Sequence, residues 1–258
     1  MPIKQSVCVP ILPQNTLSQD ELFAAITEIG YPAIEIWGRG DDFDNFCEAA
    51  GGSGLRVVSF SGHDSLPDGL NNPANHDRIE AELHESIDVA AANGVDGLIC
   101  FSGNHIPGMS EQEAIANTAA GLRRAAPHAE ARGVNLNLEL LNSKVNHAGY
   151  QCDHSAWGLA VVQQVESTNV KLLYDIYHMQ IMEGDVIRTM TENLDAIGHI
   201  HTAGNPGRNE LDDNQELNYR GICRALSSVG YAGYVGHEFH PRGDVVSALR
   251  QAFELCNV

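Results

Sequence analysis

The sequence lacks long apolar runs, paired cysteine motifs and abundant positive charge, and each absence excludes a class of protein. No apolar run approaches ~20 residues, so no transmembrane helix and no membrane partner are predicted. The first ten residues, MPIKQSVCVP, have neither the charged nor the apolar region of a secretion signal. The six cysteines form no CxxC pair and several lie in apolar segments, which indicates buried reduced thiols. We therefore expect a cytoplasmic protein.

Positive charge is scarce, because 15 Lys and Arg residues face 34 Asp and Glu residues and leave a net charge of −19. A chain this acidic is repelled by phosphate backbones, so we expect no nucleic-acid partner. The acids are spread over predicted helices instead of forming a long block, which is typical of a solvated surface. The expected partner is a small-molecule substrate, and assembly into a homo-oligomer is compatible with the sequence.

Linkers rich in Pro, Gly or Ser are also absent, so we predict a single domain over residues 1–258. The length of 258 residues and the hydrophobic fraction of 43% allow one well-buried core. This length suits an α/β barrel, which typically needs about 250 residues. Short apolar runs alternate with helical patterns eight times, which predicts a (β/α)8 TIM barrel and disfavours an open six-stranded sheet.

The predicted elements follow from apolar periodicity, helix caps and glycines at helix ends. We predict strands at Ser6–Val9, Ala33–Trp37, Leu55–Phe60, Gly97–Phe101, Val134–Leu140, Val170–Asp175, Ile197–Thr202 and Tyr234–Phe239. We predict helices near Ser18–Ile29, Phe43–Ala50, His76–Asn93, Glu111–Arg132, His154–Val165, Asp185–Asn193, Tyr219–Val229 and Val245–Leu255. The connections Gly62–Asn75 and Ala203–Glu216 are long and polar, so we expect them to form walls of an active site.

Four ionisable residues stand where the last four predicted strands end: Glu139, Asp175, His201 and Glu238. Parallel barrel strands end on one face, so we expect these side chains to meet there. Each residue alone could cap a helix or face water. Four in successive units, with no Lys or Arg at the same positions, instead favour a functional cluster.

A divalent cation is the expected centre of this cluster, because it would offset the repulsion among three carboxylates. We expect Mn²⁺ or Mg²⁺, with Co²⁺ or Zn²⁺ as alternatives, since this ligand set does not distinguish among these ions. A structural zinc site is disfavoured because no cysteine is among the candidate ligands.

Two residues on the following loops are predicted to contact a substrate. His178, in the segment DIYH, is placed on the loop leaving the sixth strand, where it would face a substrate oxygen; a surface histidine is the alternative. Arg208, in NPGR, would hold a carboxylate or phosphate through two hydrogen bonds. A salt bridge from Arg208 to Glu210 or Asp212 is the competing interpretation.

The second and third predicted strands end near Glu35 and His63. Either residue could line the substrate pocket, and a hydrogen-bonded structural role is an equal alternative; we include His63 among the predicted substrate contacts. Trp37 could form a pocket wall, although ordinary packing is the commoner role of an aromatic residue. By strand alternation His237 points away from the lumen and His199 lies one layer below the cluster, so neither is assigned to catalysis.

The segments YDIYHMQIMEGD, HIHTAGNPGRNE, LELLN and GYVGHEF resemble the hydroxypyruvate isomerase family, within the xylose-isomerase-like TIM barrels. The resemblance is specific from Glu139 to Phe239 and looser in the first half. It implies that Glu139 and Glu238 are the paired glutamates that bind the metal and transfer the proton, and that Asp175 is the metal-binding aspartate. His201 matches a position that is glutamine in several hydroxypyruvate isomerases and histidine in the similar ketose 3-epimerases.

The resemblance implies isomerisation of a small hydroxy-keto acid or sugar through an enediolate, for example hydroxypyruvate to tartronate semialdehyde. Which glutamate abstracts the proton is left open. His178 and Arg208 match positions that contact substrate oxygens in the epimerases. A ketose 3-epimerase and a keto-inositol-type dehydratase are alternative activities on the same metal site. The similar endonuclease IV family needs a basic groove, which a net charge of −19 disfavours, and a non-catalytic sugar-binding barrel would not require both glutamates.

Overall fold

Eight parallel strands form the centre of the molecule in the computed structural model, which describes residues 2–14 and 16–258. The strands are Lys4–Cys8 (β1), Ala33–Glu35 (β2), Arg56–Ser61 (β3), Gly97–Cys100 (β4), Asn135–Glu139 (β5), Val170–Asp175 (β6), Ile197–Thr202 (β7) and Tyr234–His237 (β8). Each strand pairs with the next, and β1 pairs with β8 to close the barrel. The predicted TIM barrel is confirmed; residues 1 and 15 of the predicted domain lie outside the described residues.

Helices follow the strands and pack around the barrel. They are Gln19–Ile29 (α1), Phe43–Gly52 (α2), His76–Asn93 (α3), Glu111–Arg132 (α4), Ser155–Val165 (α5), Ile176–Met182 (α6), Val186–Glu192 (α7), Tyr219–Ser228 (α8) and Val245–Cys256 (α9). Capping boxes form at the starts of α1 and α4, where Ser18 and Ser110 each accept a hydrogen bond from the backbone N–H three residues later. Among the described residues, the helices are too short or too polar for a membrane span.

One helix was missed, and with it the placement of His178 on a loop is wrong. The short α6 begins directly after β6, where the Asp175 side chain accepts a hydrogen bond from the His178 backbone N–H at 3.0 Å. This cap satisfies one of the free N–H groups of the first turn. Most of α6 is buried, so its sequence has no polar face from which a helical period could be recognised.

A polar side chain, Asn137, occupies the barrel interior below the C-terminal ends of the strands. Leu136 and Leu138 of β5 pack in the hydrophobic core, whereas Asn137 between them alternates to the other face and is 2% exposed. A Cβ at Gly97 would lie 2.5 Å from Asn137 Nδ2, and one at Gly198 would lie 2.1 Å from Asn137 Oδ1. The Asn137 amide therefore fits in the barrel because Gly97 and Gly198 have no Cβ.

Substituting Gly198 with Ala is expected to lower the free energy of unfolding by about 1–3 kcal/mol, because the added methyl group would overlap the Asn137 side chain and overpack the barrel interior. Gly51 in α2 is the matched control, since a Cβ there meets no atom within 4 Å. G51A should be neutral or slightly stabilising, as alanine is the better helix former. Urea denaturation of both variants measures the difference, and equal stabilities would contradict the packing described for Asn137.

Candidate active site

The C-terminal ends of β5 to β8 bring Glu139, Asp175, His201 and Glu238 together. One ligand atom of each residue lies within 4.8 Å of those of the others, and all four side chains are buried. The strand register explains the convergence, because Asp175 pairs directly with His201 across β6 and β7, and Glu238 follows the last residue of β8. Residues far apart in the chain thus share one face of the barrel.

A guanidinium also reaches this cluster. Arg208, on the loop after β7, donates a hydrogen bond to Glu238 Oε2. It does not form the salt bridge considered from the sequence, since Glu210 and Asp212 pair with Arg242 instead. The sequence-based expectation named a divalent cation as the positive charge at the cluster and did not include this guanidinium. Three carboxylates and one guanidinium still leave two negative charges when the imidazole is neutral, which suits a divalent cation.

Two atoms at the centre of the cluster, Asp175 Oδ2 and His201 Nδ1, have no hydrogen-bond partner among the described residues. His201 Nδ1 lies 3.7 Å from Glu139 Oε1 and 3.5 Å from Glu238 Oε2. An unpaired buried polar group costs about 1–3 kcal/mol, and a bound cation would remove that cost. Carboxylate oxygens and one imidazole nitrogen fit Mn²⁺ or Mg²⁺.

The two glutamates of the cluster have different surroundings. Glu238 accepts hydrogen bonds from Trp37 Nε1 at 2.8 Å and from Arg208. Burial raises the pKa of Glu238, but Arg208 and His201 outweigh it and hold the pKa well below its usual value. Burial also raises the pKa of Glu139, where His201 opposes the rise and the neighbouring Glu238 adds to it. Glu139 is therefore the carboxylate better suited to accept a proton.

His178 is fully buried in the first turn of α6, and its Nε2, which faces the cluster, has no hydrogen-bond partner among the described residues. Its Nδ1 accepts the backbone N–H of Asn142 at 3.1 Å, so a neutral ring carries its proton on Nε2. Nε2 lies 3.7 Å from Asp175 Oδ2. Burial and the charge of Arg208 lower the pKa of His178 well below its usual value. The ring thus offers a neutral N–H donor.

Glu35 lies below the cluster and not in the mouth of the barrel. Its Oε2 accepts a hydrogen bond from His201 Nε2 at 2.8 Å, and its Oε1 lies 3.0 Å from His199 Nε2. Burial raises the pKa of Glu35, but the two imidazoles outweigh it and lower the pKa well below the usual range. The hydrogen-bonded role considered for Glu35 therefore describes its position better than a place in the pocket lining.

His63 and His237 have both ring nitrogens engaged. In His63, Nε2 accepts the Phe101 backbone N–H at 2.9 Å and Nδ1 lies 3.1 Å from the Asp64 carbonyl oxygen. Neither nitrogen is free for a substrate in this arrangement, which matches the structural alternative stated for this residue. His237 bonds to Gln5 Oε1 at 2.9 Å, and burial lowers its pKa to about 3.

Two side chains at the site were not assigned a role from the sequence. Trp37 was considered only as a wall, yet its indole N–H binds Glu238. His147 lies on the connection between β5 and α5, with its ring centroid 5.3 Å from that of His178 and no partner for Nε2 among the described residues. The available signal was the length of this connection, 140–154, which is one residue longer than each of the two long connections predicted from the sequence.

The chain matches the family described as xylose isomerase-like TIM barrel over residues 23–256. It is 31% identical over 178 residues to hydroxypyruvate isomerase of Escherichia coli (strain K12), which spans 69% of this chain and 68% of that protein.

Solved structures have the same fold. A crystal structure of AP endonuclease, family 2 from Brucella melitensis superposes with a TM-score of 0.86 and 25% identity over 100% of both chains. D-Psicose 3-epimerase with D-tagatose from Clostridium cellulolyticum H10 superposes with a TM-score of 0.76 and 21% identity, over 97% of this chain and 90% of that one. The second likeness is one of fold alone.

Proposed function

Since the chain belongs to the xylose isomerase-like TIM barrel family and is an isomerase, we propose that it acts on a small hydroxy-keto acid or sugar. The reaction moves a carbonyl group between adjacent carbons through an enediolate, with hydroxypyruvate to tartronate semialdehyde as the leading example. One observation carries this proposal: ligand atoms of Glu139, Asp175, His201 and Glu238 lie within 4.8 Å of one another. A divalent cation bound there supplies Lewis-acid polarisation of the substrate carbonyl.

Glu139 is the proposed base that takes the proton from the hydroxyl-bearing carbon. Among the described residues its carboxylate forms an ion pair with His201 Nδ1 at 3.7 Å, whereas Glu238 is engaged by hydrogen bonds from Trp37 and Arg208. Glu139 then returns the proton to the former carbonyl carbon. A general base must lie close to its proton before its pKa matters, and an unengaged carboxylate is the one free to approach.

The His178 Nε2–H is the proposed donor to a substrate oxygen. Its Nδ1 is already engaged by Asn142, so the ring keeps its Nε2 proton and only hydrogen-bonds to the substrate oxygen. The proton that the former carbonyl oxygen gains comes from the substrate hydroxyl group that becomes the new carbonyl. Arg208 is the proposed carboxylate contact. Its Nη2 binds Glu238, and its Nε is buried without a partner among the described residues, so a substrate carboxylate would complete its hydrogen bonds.

A ketose 3-epimerase is the second candidate, favoured by one residue. His201 stands where the resemblance implies histidine in the epimerases and glutamine in several hydroxypyruvate isomerases. Epimerisation would use the same base, but the proton would return to the same carbon from the opposite side. DNA cleavage, which the name of the Brucella melitensis structure suggests for that protein, is disfavoured here because a net charge of −19 repels phosphates.

The test is turnover of hydroxypyruvate in D₂O with metal-free and Mn²⁺-loaded protein. We expect turnover to disappear after chelation and to return with Mn²⁺ or Mg²⁺. Tartronate semialdehyde should appear with deuterium on its hydroxyl-bearing carbon, because the transferred proton exchanges with solvent on the carboxyl group. NMR identifies both the product and the labelled carbon.

Free ketoses assayed in parallel distinguish the second candidate. Deuterium at the third carbon of a ketose, with no aldehyde formed, would favour epimerisation. Full activity after complete chelation, or no isotope exchange with any of these compounds, would contradict the proposed metal-dependent reaction.

A further inference from the structure

The candidate active site continues into the barrel through the hydrogen bond between His201 and Glu35. His201 Nε2 and Glu35 Oε2 are 2.8 Å apart, and each side chain is 1% exposed. A carboxylate accepts hydrogen bonds and has no proton to give, so the imidazole nitrogen is the donor. A neutral His201 ring therefore carries its proton on Nε2 and keeps a lone pair on Nδ1.

In the neutral ring, His201 Nδ1 presents its lone pair to the acids of the cluster. This nitrogen has no hydrogen-bond partner among the described residues, and it lies 3.7 Å from Glu139 Oε1 and 3.5 Å from Glu238 Oε2. In the opposite tautomer Nδ1 would carry the proton, and the ring would have no ligand atom on this side. The partner of Nε2 thus determines whether His201 can bind a cation here.

We propose that Glu35 is a positioning residue that directs His201 Nδ1 toward a divalent cation, a role that rests on the metal-dependent function proposed above. A carboxylate that accepts from the second nitrogen of a ligating histidine orients the ring, selects its tautomer and strengthens it as a ligand. Among the described residues, the polar contacts of the Glu35 side chain are with Ser6, His199 and His201, and of these only His201 belongs to the cluster.

The surroundings of Glu35 restrict its carboxylate to this position. Ser6 Oγ donates to Glu35 Oε1 at 2.5 Å, and His199 Nε2 lies 3.0 Å from the same oxygen. A Cβ at Gly236 would lie only 2.0 Å from this oxygen, so a glycine of β8 makes room for the carboxylate. Neighbours from β1, β7 and β8 together hold Glu35 under His201.

A second cation held by Glu35, His199 and His201 is the rival interpretation, because their ligand atoms also lie within 4.8 Å of one another. That arrangement would require His201 Nε2 to bind a cation in place of donating to Glu35. The positioning role therefore predicts one Mn²⁺ per chain. A stoichiometry of two would contradict it.

The experiment measures Mn²⁺ binding to metal-free protein by isothermal titration calorimetry, for the wild type and for Glu35→Gln. The amide keeps the size of the side chain but removes its negative charge and leaves one acceptor oxygen in place of two. We expect the wild type to bind one Mn²⁺ and E35Q to bind it about 10- to 100-fold more weakly. The control is Gln5→Leu, which removes the acceptor of another buried imidazole, His237 Nε2 at 2.9 Å. Q5L should lower the Tm but leave the Mn²⁺ affinity unchanged.

A second measurement needs no substitution at Glu35. In ¹⁵N NMR spectra of the Zn²⁺-loaded wild type, we expect the His201 ring to carry its proton on Nε2 and to bind the metal through Nδ1, with the signals assigned by their loss in H201N. Wild-type affinity in E35Q, or a proton on Nδ1, would overturn the positioning role alone. A wild type that binds no Mn²⁺ would overturn the metal-dependent function and this inference with it.

Discussion

Substituting Glu139 with Gln is expected to lower kcat for hydroxypyruvate by about 10²–10⁴-fold, the usual contribution of a positioned general base. Glutamine has nearly the same shape and keeps an oxygen that can bind a cation, but it cannot accept the substrate proton. The barrel should stay folded, because Glu139 lies at the end of β5 and, among the described residues, its carboxylate accepts no hydrogen bond from the hydrophobic core. Steady-state kinetics at saturating Mn²⁺ measures the loss of the base separately from weaker metal binding.

Glu130→Gln is the matched control, since Glu130 is an exposed residue of α4 whose contact is Ser167 Oγ. It should have the kcat of the wild type. Near-normal turnover in E139Q would show that another group abstracts the proton, and Glu238 would then be the next residue to substitute. Loss of activity together with loss of circular dichroism would instead assign Glu139 a role in folding.

Substituting Arg208 with Met should lower kcat/KM for an acidic substrate far more than for a neutral ketose. A hydrogen bond between charged groups contributes about 1.5–3 kcal/mol, so removing it should cost an acidic substrate about 10- to 100-fold. A neutral ketose has no carboxylate to lose this contact. The comparison of hydroxypyruvate with an uncharged ketose in the same variant therefore isolates the carboxylate contact.

The structure provides a competing explanation for Arg208, because its guanidinium also binds Glu238. If its main role were to offset the charge of Glu238, both substrates would lose activity equally in R208M, and the carboxylate contact would be refuted. Arg242→Met is the control. Arg242 lies on the connection between β8 and α9, and it pairs with Glu210 and Asp212 instead of the cluster. R242M should affect neither substrate.

The strands were predictable because their signal is local. β6 and β7 occupy the residues predicted for them, Val170–Asp175 and Ile197–Thr202, since a short apolar run followed by a polar loop indicates a buried strand without reference to the rest of the chain. The short α6 was missed because its start depends on the Asp175 side chain and its sides are buried. Neither the cap nor the burial of the helix produces the alternation of apolar and polar residues by which a helix is recognised in a sequence.

The sequence also indicated which ionisable residues come to the strand ends, but it could not indicate their partners. Arg208 could have paired with its chain neighbours Glu210 and Asp212, yet these two bind Arg242, and Arg208 reaches Glu238 across the loop. Several acids lie within reach of any surface arginine, so the pairing depends on how two separate loops pack.

By itself, the sequence determined the barrel fold and the position of Glu139, Asp175, His201 and Glu238 at the C-terminal ends of the strands. Strand ends and strand alternation depend on near neighbours in the chain. Only the tertiary structure decided which atom each of them presents. The partner of His201 Nε2 is Glu35, 166 positions away, and the partner of His178 Nδ1 is the backbone of Asn142 on the connection after β5. A ring nitrogen is donor or acceptor according to the group that meets the other nitrogen, and folding alone brings those groups together.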